Sequence, residues 1–190
     1  MNTKQRTILL ATVLVLFAVV SRIMSVEQNI WNFASIGAIS LFSGAIFKNK
    51  ANAYVLPLIA YLVTDIYIEI TKGNGFYDAS QFFVYGAMLV TVFFGTKMKS
   101  AKWYNVVGFS VLSSVSFYLI SNFGVWFAGF FPSKYVMYPT TITGLIDCMV
   151  AGIPFYKNTF ASDLIFSGIL FGGYAAYAKA SKQSKVLASA

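Results

Sequence analysis

The feature that most limits this chain is its rhythm of long apolar runs, each closed by a short basic or turn-forming cluster. Six runs, at residues 7–25, 30–47, 51–70, 79–96, 103–121 and 159–178, hold few charges. About 20 apolar residues let a helix cross the hydrocarbon of a bilayer, and somewhat shorter runs are tolerated. The shortage of charge is as telling as the apolar content. Only 11% of residues are charged and 58% are apolar, whereas a soluble domain is about a quarter charged. The chain therefore reads as one all-α membrane domain over residues 1–190, with six transmembrane helices. The positive start and apolar middle of the first run also resemble a secretory signal. Its small-residue cleavage pattern is poor, so a retained helix is expected.

The lysines and arginines give the orientation. With six spans and both termini in the cytoplasm, the inner segments carry Lys4, Arg6, Lys48, Lys50, Lys97, Lys99, Lys102, Lys179, Lys182 and Lys185. The outer segments carry only Arg22, Lys72, Lys134 and Lys157. That inside bias predicts a multi-pass membrane protein with both termini in the cytoplasm. It also accounts for the formal charge of +8 through short orientation clusters, so no nucleic-acid partner is expected. The six acidic residues all fall in outer links or at outer helix ends.

Residues 122–158 interrupt the rhythm. This stretch is rich in aromatic residues and holds three of the four prolines and the single cysteine, Cys148. Its piece at 141–153 is apolar but short. If it crossed the membrane, the C-terminal lysines would be stranded outside. A short outer or re-entrant helix between the fifth and sixth spans is therefore expected.

Much familiar enzyme chemistry is excluded. The chain has no histidine for acid–base work or metal ligation, and one cysteine makes no intrachain disulfide and no cysteine-pair metal site. It has no phosphate-binding loop and no nucleophile elbow. No catalytic residue, metal or cofactor is expected. What remains is a set of binding candidates on the outer side. Asp65 and Glu69 are four apart on one helical face, and an acid within a span marks a functional site by default. Asp163 enters the first turns of the last span, where it would complement the helix dipole or share a cavity with Asp65. Trp31, Asn32, Asn122, Trp126 and Tyr138 pair flat apolar surface with polar edges, as small-molecule sites do. Asp147 lies beside Cys148 in the short outer piece. The small residues Ala34, Ala38, Ser40 and Gly44 recur at a spacing of four and suit close helix packing.

The stretches NFASIGAISLFSGAIF (32–47), SNFGVWF (121–127) and YPTTITGLIDCMVAGIPFYKNTFASDLIF (138–166), with Pro57 eight residues before Asp65, resemble a family of bacterial membrane proteins with a domain of unknown function over nearly their whole length. That family is distantly similar to the substrate-binding S components of energy-coupling-factor vitamin transporters. The resemblance implies a six-helix bundle with an outward-facing vitamin site, built from outer loops and the last three helices. It also implies a bundle that topples when docked to an ATP-driven module. The small-xxx-small pattern that such docking uses on the first helix is missing here, where Val15 follows Ala11. A solitary transporter, like the cobalamin-specific relatives of S components, is consistent with that departure. The expected function is uptake of a vitamin-like small molecule. The alternative is a non-catalytic membrane scaffold whose outer loop is a lid against a partner and whose small-residue helix is a docking face.

Overall fold

The computed structural model describes residues 3–132 and 136–187, with side chains described for residue 5, 8–132 and 136–180. Lys134, and the side chains of Lys4, Arg6, Lys182 and Lys185 that entered the charge count, lie outside the described residues. Six helices and no strand occur among the described residues: α1 Thr3–Glu27, α2 Ile36–Ile46, α3 Lys50–Lys72, α4 Ser80–Lys97, α5 Trp103–Ala128 and α6 Ile142–Leu187. Four are long and apolar enough to cross a membrane: Ile8–Glu27, Lys50–Lys72, Trp103–Ala128 and Ile142–Ala180. Their outward faces are apolar, with Leu16, Ile59, Leu112 and Ile165 exposed.

Helix α2 is the axis of the bundle and touches every other helix. Its residues are small enough to allow this. A Cβ on Gly44 would stand 2.1 Å from the Val92 carbonyl oxygen of α4, and one on Gly95 would stand 2.2 Å from the Leu41 carbonyl oxygen. The two backbones therefore meet with nothing between them, as small residues permit. The expected small-residue stripe packs inside the chain, with Ala38, Ser40 and Gly44 buried. Phe42 continues the contact into α6, 5.1 Å from the Phe171 ring.

The second run is not one span-long helix. With 11 residues, α2 is about 16 Å long, roughly half of the hydrocarbon thickness. Residues 28–35 before it form turns, with Asn29 at φ 58° and Asn32 at φ 64°. Asparagine tolerates this left-handed conformation better than other side chains. The turn carbonyls are not left bare. Asn158 Nδ2 donates to the Trp31 carbonyl at 2.9 Å, and Ser25 Oγ donates to the Ile30 carbonyl at 2.5 Å. Side chains of α6 and α1 thus supply the partners that irregular backbone needs within a bundle.

The α2–α3 corner is fixed from both sides. Asn49 Oδ1 accepts from the Ala51 and Asn52 amides, capping α3. Lys50 Nζ donates to the Gly44 and Phe47 carbonyls, closing α2. Pro57 sits inside α3 and cannot bond the Ala53 carbonyl one turn back. Ser43 Oγ of α2 donates to that carbonyl at 2.9 Å.

The other departures lie in the aromatic stretch. Helix α5 runs on to Ala128, so Asn122 and Trp126 are helical. The expected short helix at 141–153 and the expected span at 159–178 are parts of one 46-residue helix, about 69 Å long. Pro154 does not divide them. It removes one bond, to the Val150 carbonyl, and α5 holds this stretch in register: Tyr118 Oη donates to the neighbouring Met149 carbonyl at 2.5 Å. Cys148 Sγ donates to the Asn122 carbonyl at 3.3 Å, so the cysteine is a small buried packing group.

Candidate functional site

A polar network spans α1, α3 and α4. Because α1 runs on as helix to Glu27, Arg22 points into the bundle and not into an outer segment. Its Nη1 lies 2.6 Å from Asp65 Oδ1, and the Asp65 side chain is fully buried. The guanidinium also donates to Thr64 Oγ1 and to the Tyr61 carbonyl, and lies 3.6 Å from the Tyr61 ring centroid. Asp65 Oδ2 accepts from Gln81 Nε2 at 2.9 Å and from Tyr85 Oη at 2.8 Å. Both charges are therefore matched and hydrogen-bonded, as a buried pair requires.

Beside this network lies a cavity of about 230 Å³ to which all six helices contribute. Arg22 and Val26 of α1, the turn residues Trp31 and Asn32, Gly37 of α2, Tyr61 of α3 and Tyr77 of the α3–α4 link form much of its wall. Phe117 of α5 and Thr159, Ser162 and Asp163 of α6 complete it. A second cavity of about 180 Å³ lies next to it, shares Asn32, Tyr61, Tyr77, Phe117 and Thr159, and extends to Asn122. Burial, with Tyr61 alongside, pushes the Tyr77 phenol far above its ordinary pKa. Tyr77 therefore presents a neutral hydroxyl to the cavity.

Asp163 is the unusual member. It is 4% exposed, and among the described residues its carboxylate has no hydrogen bond and no ion pair. It lies against the first turn of α2: a Cβ on Gly37 would stand 2.2 Å from Asp163 Oδ1. The amide end of a helix dipole favours a negative group there. The dipole argument thus holds through α2 and not through α6, since Asp163 sits well inside its own helix.

The structure sorts the residues expected from the sequence. Trp31, Asn32 and Asp163 line the first cavity, and Asn122 lines the second. Asp65 lines neither and instead neutralises Arg22. Trp126 lies outside both, where its Nε1 donates to the Pro139 and Thr141 carbonyls and ties the α5–α6 link to α5. Tyr138 in that link and Asp147, exposed on α6, also lie outside both cavities. Glu69 caps a turn, its Oε2 accepting from the Gly75 and Phe76 amides. Lys72 pairs with Glu27 at 3.2 Å and not with Glu69. Sequence reasoning missed Arg22, Tyr61 and Tyr77. A signal for the first existed: an aspartate inside an apolar run needs a cation, and Arg22 is a basic residue near the end of the first apolar run.

No curated protein and no solved structure matches the chain. A family of unknown function (DUF6580) matches residues 1–186. That match covers nearly the whole chain, from the first helix through the cavity-lining part of α6, and the chain belongs to this family.

Proposed function

We propose that the chain is the substrate-binding membrane subunit of a small-molecule uptake system, resembling an S component or a solitary relative of one. The observation that carries this reading is the cavity at one end of the bundle, with aromatic walls, a few convergent polar groups and the unpaired Asp163. That combination is what small-molecule sites share. Lys48, Lys50, Lys97, Lys99, Lys102 and Lys179 lie at the opposite end, so the positive-inside bias supports a cavity that opens outward and termini in the cytoplasm. In this arrangement α2, with the turns before it, and α4 complete six crossings of a bacterial inner membrane. The chain has no nucleotide-binding loop. Movement of bound ligand would follow from rigid-body rearrangement of the bundle, powered by a separate energising membrane module. The scaffold alternative loses ground because its docking face, the small residues of α2, is consumed in packing against α4.

The test is a thermal-shift screen of detergent-purified protein against vitamins, cobalamin and cobinamide included. A ligand at a hundred times its Kd stabilises by about 2.7 kcal/mol. That is a rise of roughly 5–11 °C on the scale of soluble domains this size. Such a rise with one compound supports uptake. Folded protein that responds to none of them supports the scaffold.

A further inference from the structure

We infer that the ligand of this cavity is a small organic cation whose positive charge sits on Asp163. The inference rests on the binding reading above and adds the chemical class.

The charge balance of the site leads to it. Arg22 is the cavity's cation, and it is already matched by Asp65 at 2.6 Å and covered by the Tyr61 ring. Glu69 is committed to the Gly75 and Phe76 amides. The remaining acid at the cavity wall is Asp163, and among the described residues no protein cation matches it. A buried carboxylate with no partner is costly, and such groups are normally paired. Here the carboxylate is aligned by Gly37 and by the first turn of α2, and it borders open space instead of a protein cation. A guest bringing a positive charge completes the pair.

The remaining walls suit the same guest. Trp31, Tyr77 and Phe117 offer ring surface, which attracts cations as well as apolar groups. Among the described residues no group of three or more histidine, cysteine, aspartate or glutamate side chains could hold a metal ion. The aromatic walls therefore point to an organic cation rather than to a metal.

A matched series tests this in the purified full-length protein. Thiamine, choline and 1-methylnicotinamide are cations. Nicotinamide and 3,3-dimethylbutan-1-ol are neutral counterparts of similar shape, and nicotinate, biotin and pantothenate are anions. Calorimetric titration at constant ionic strength is expected to show saturable binding of at least one cation, with its neutral counterpart weaker. Removing one side of a buried charge pair costs enough that Asp163→Asn should weaken that cation about a hundredfold or more. Gly37→Ala, which keeps the charge but displaces the carboxylate, should weaken it as well. Asp147→Asn, outside the cavity, should leave it unchanged. A neutral or anionic compound that binds and is indifferent to Asp163→Asn would overturn the inference and leave the binding reading standing. Stabilisation by sodium alone would also overturn it. Folded protein that binds no member of this series and no compound of the vitamin screen would overturn both the inference and the binding reading.

Discussion

Asp65→Asn should be among the most damaging single changes in this bundle, although it alters only one atom type. Asparagine can still accept from Gln81 or Tyr85 through Oδ1. Its amide then meets Arg22 as a donor facing a donor. The guanidinium keeps its bonds to Thr64 and to the Tyr61 carbonyl but loses its counter-charge at a position where the Arg22 side chain is 13% exposed and that of Asp65 is fully buried. Solvent screening is therefore weak. Breaking a buried pair from one side costs about 3–5 kcal/mol. For a chain of this length each kcal/mol shifts Tm by about 2–4 °C, so a fall of about 6–20 °C is expected in a detergent thermal melt. The double variant Asp65→Asn/Arg22→Met removes both charges. It should recover a substantial part of the loss, because an apolar replacement of a whole buried pair is often close to neutral. If the two single losses simply add in the double variant, Arg22 and Asp65 do not act as a pair, and the reasoning fails.

Asp163→Asn should move the ligand-free protein the other way. Removing an unpaired buried acid is worth about 1–3 kcal/mol, so Tm should rise by several degrees, and a fall of similar size would mean that Asp163 has a partner. Ser43→Ala leaves the Ala53 carbonyl without a donor beside Pro57. It should cost about 1–3 kcal/mol, and Ser43→Ala in a Pro57→Ala background should cost clearly less, because the backbone then supplies the bond. Trp126→Phe removes the indole N–H that bonds the Pro139 and Thr141 carbonyls. Limited proteolysis should then cut the 129–141 link faster, while ligand affinity stays unchanged because Trp126 lies outside both cavities.

How much of this was legible in the sequence depended on whether the governing interaction was local. Apolar run length placed all six helices, and the bounds of α3 and α4 agree within two residues with the runs at 51–70 and 79–96. The start of α2 was not legible. Residues 30–35 are apolar enough to continue a helix, and what stops them is Asn29 and Asn32 in the left-handed region, held by Ser25 and Asn158 from distant parts of the chain. The fusion of 141–153 with the last span was hidden for the opposite reason. Gly152, Pro154 and Asn158 look like breakers. Their context removes the effect, since Asn122 packs on Gly152 and Tyr118 bonds the Met149 carbonyl. At the candidate site, much of the aromatic density of 122–158 packs on itself, while Asn122, Phe155 and Tyr156 reach the second cavity. Phe123, Trp126, Phe127 and Phe130 contact one another, with Phe83 joining from α4. The first cavity forms where Trp31, Asn32 and Asp163 converge. Asp163 was visible as an acid in a span, but its lack of a partner shows only in three dimensions.

The most direct measurement is fluorine NMR on protein labelled with 5-fluorotryptophan and titrated with the ligand found in the screen. The chain has three tryptophans, and Trp31, Trp103 and Trp126 report on the cavity, the opposite end of the bundle and the α5–α6 link. Binding in the proposed cavity predicts that the Trp31 resonance shifts saturably, with a midpoint equal to the calorimetric Kd, while those of Trp103 and Trp126 barely move. A titration that shifts Trp126 and leaves Trp31 in place would put the ligand on the aromatic link and contradict the assignment of this cavity as the binding site.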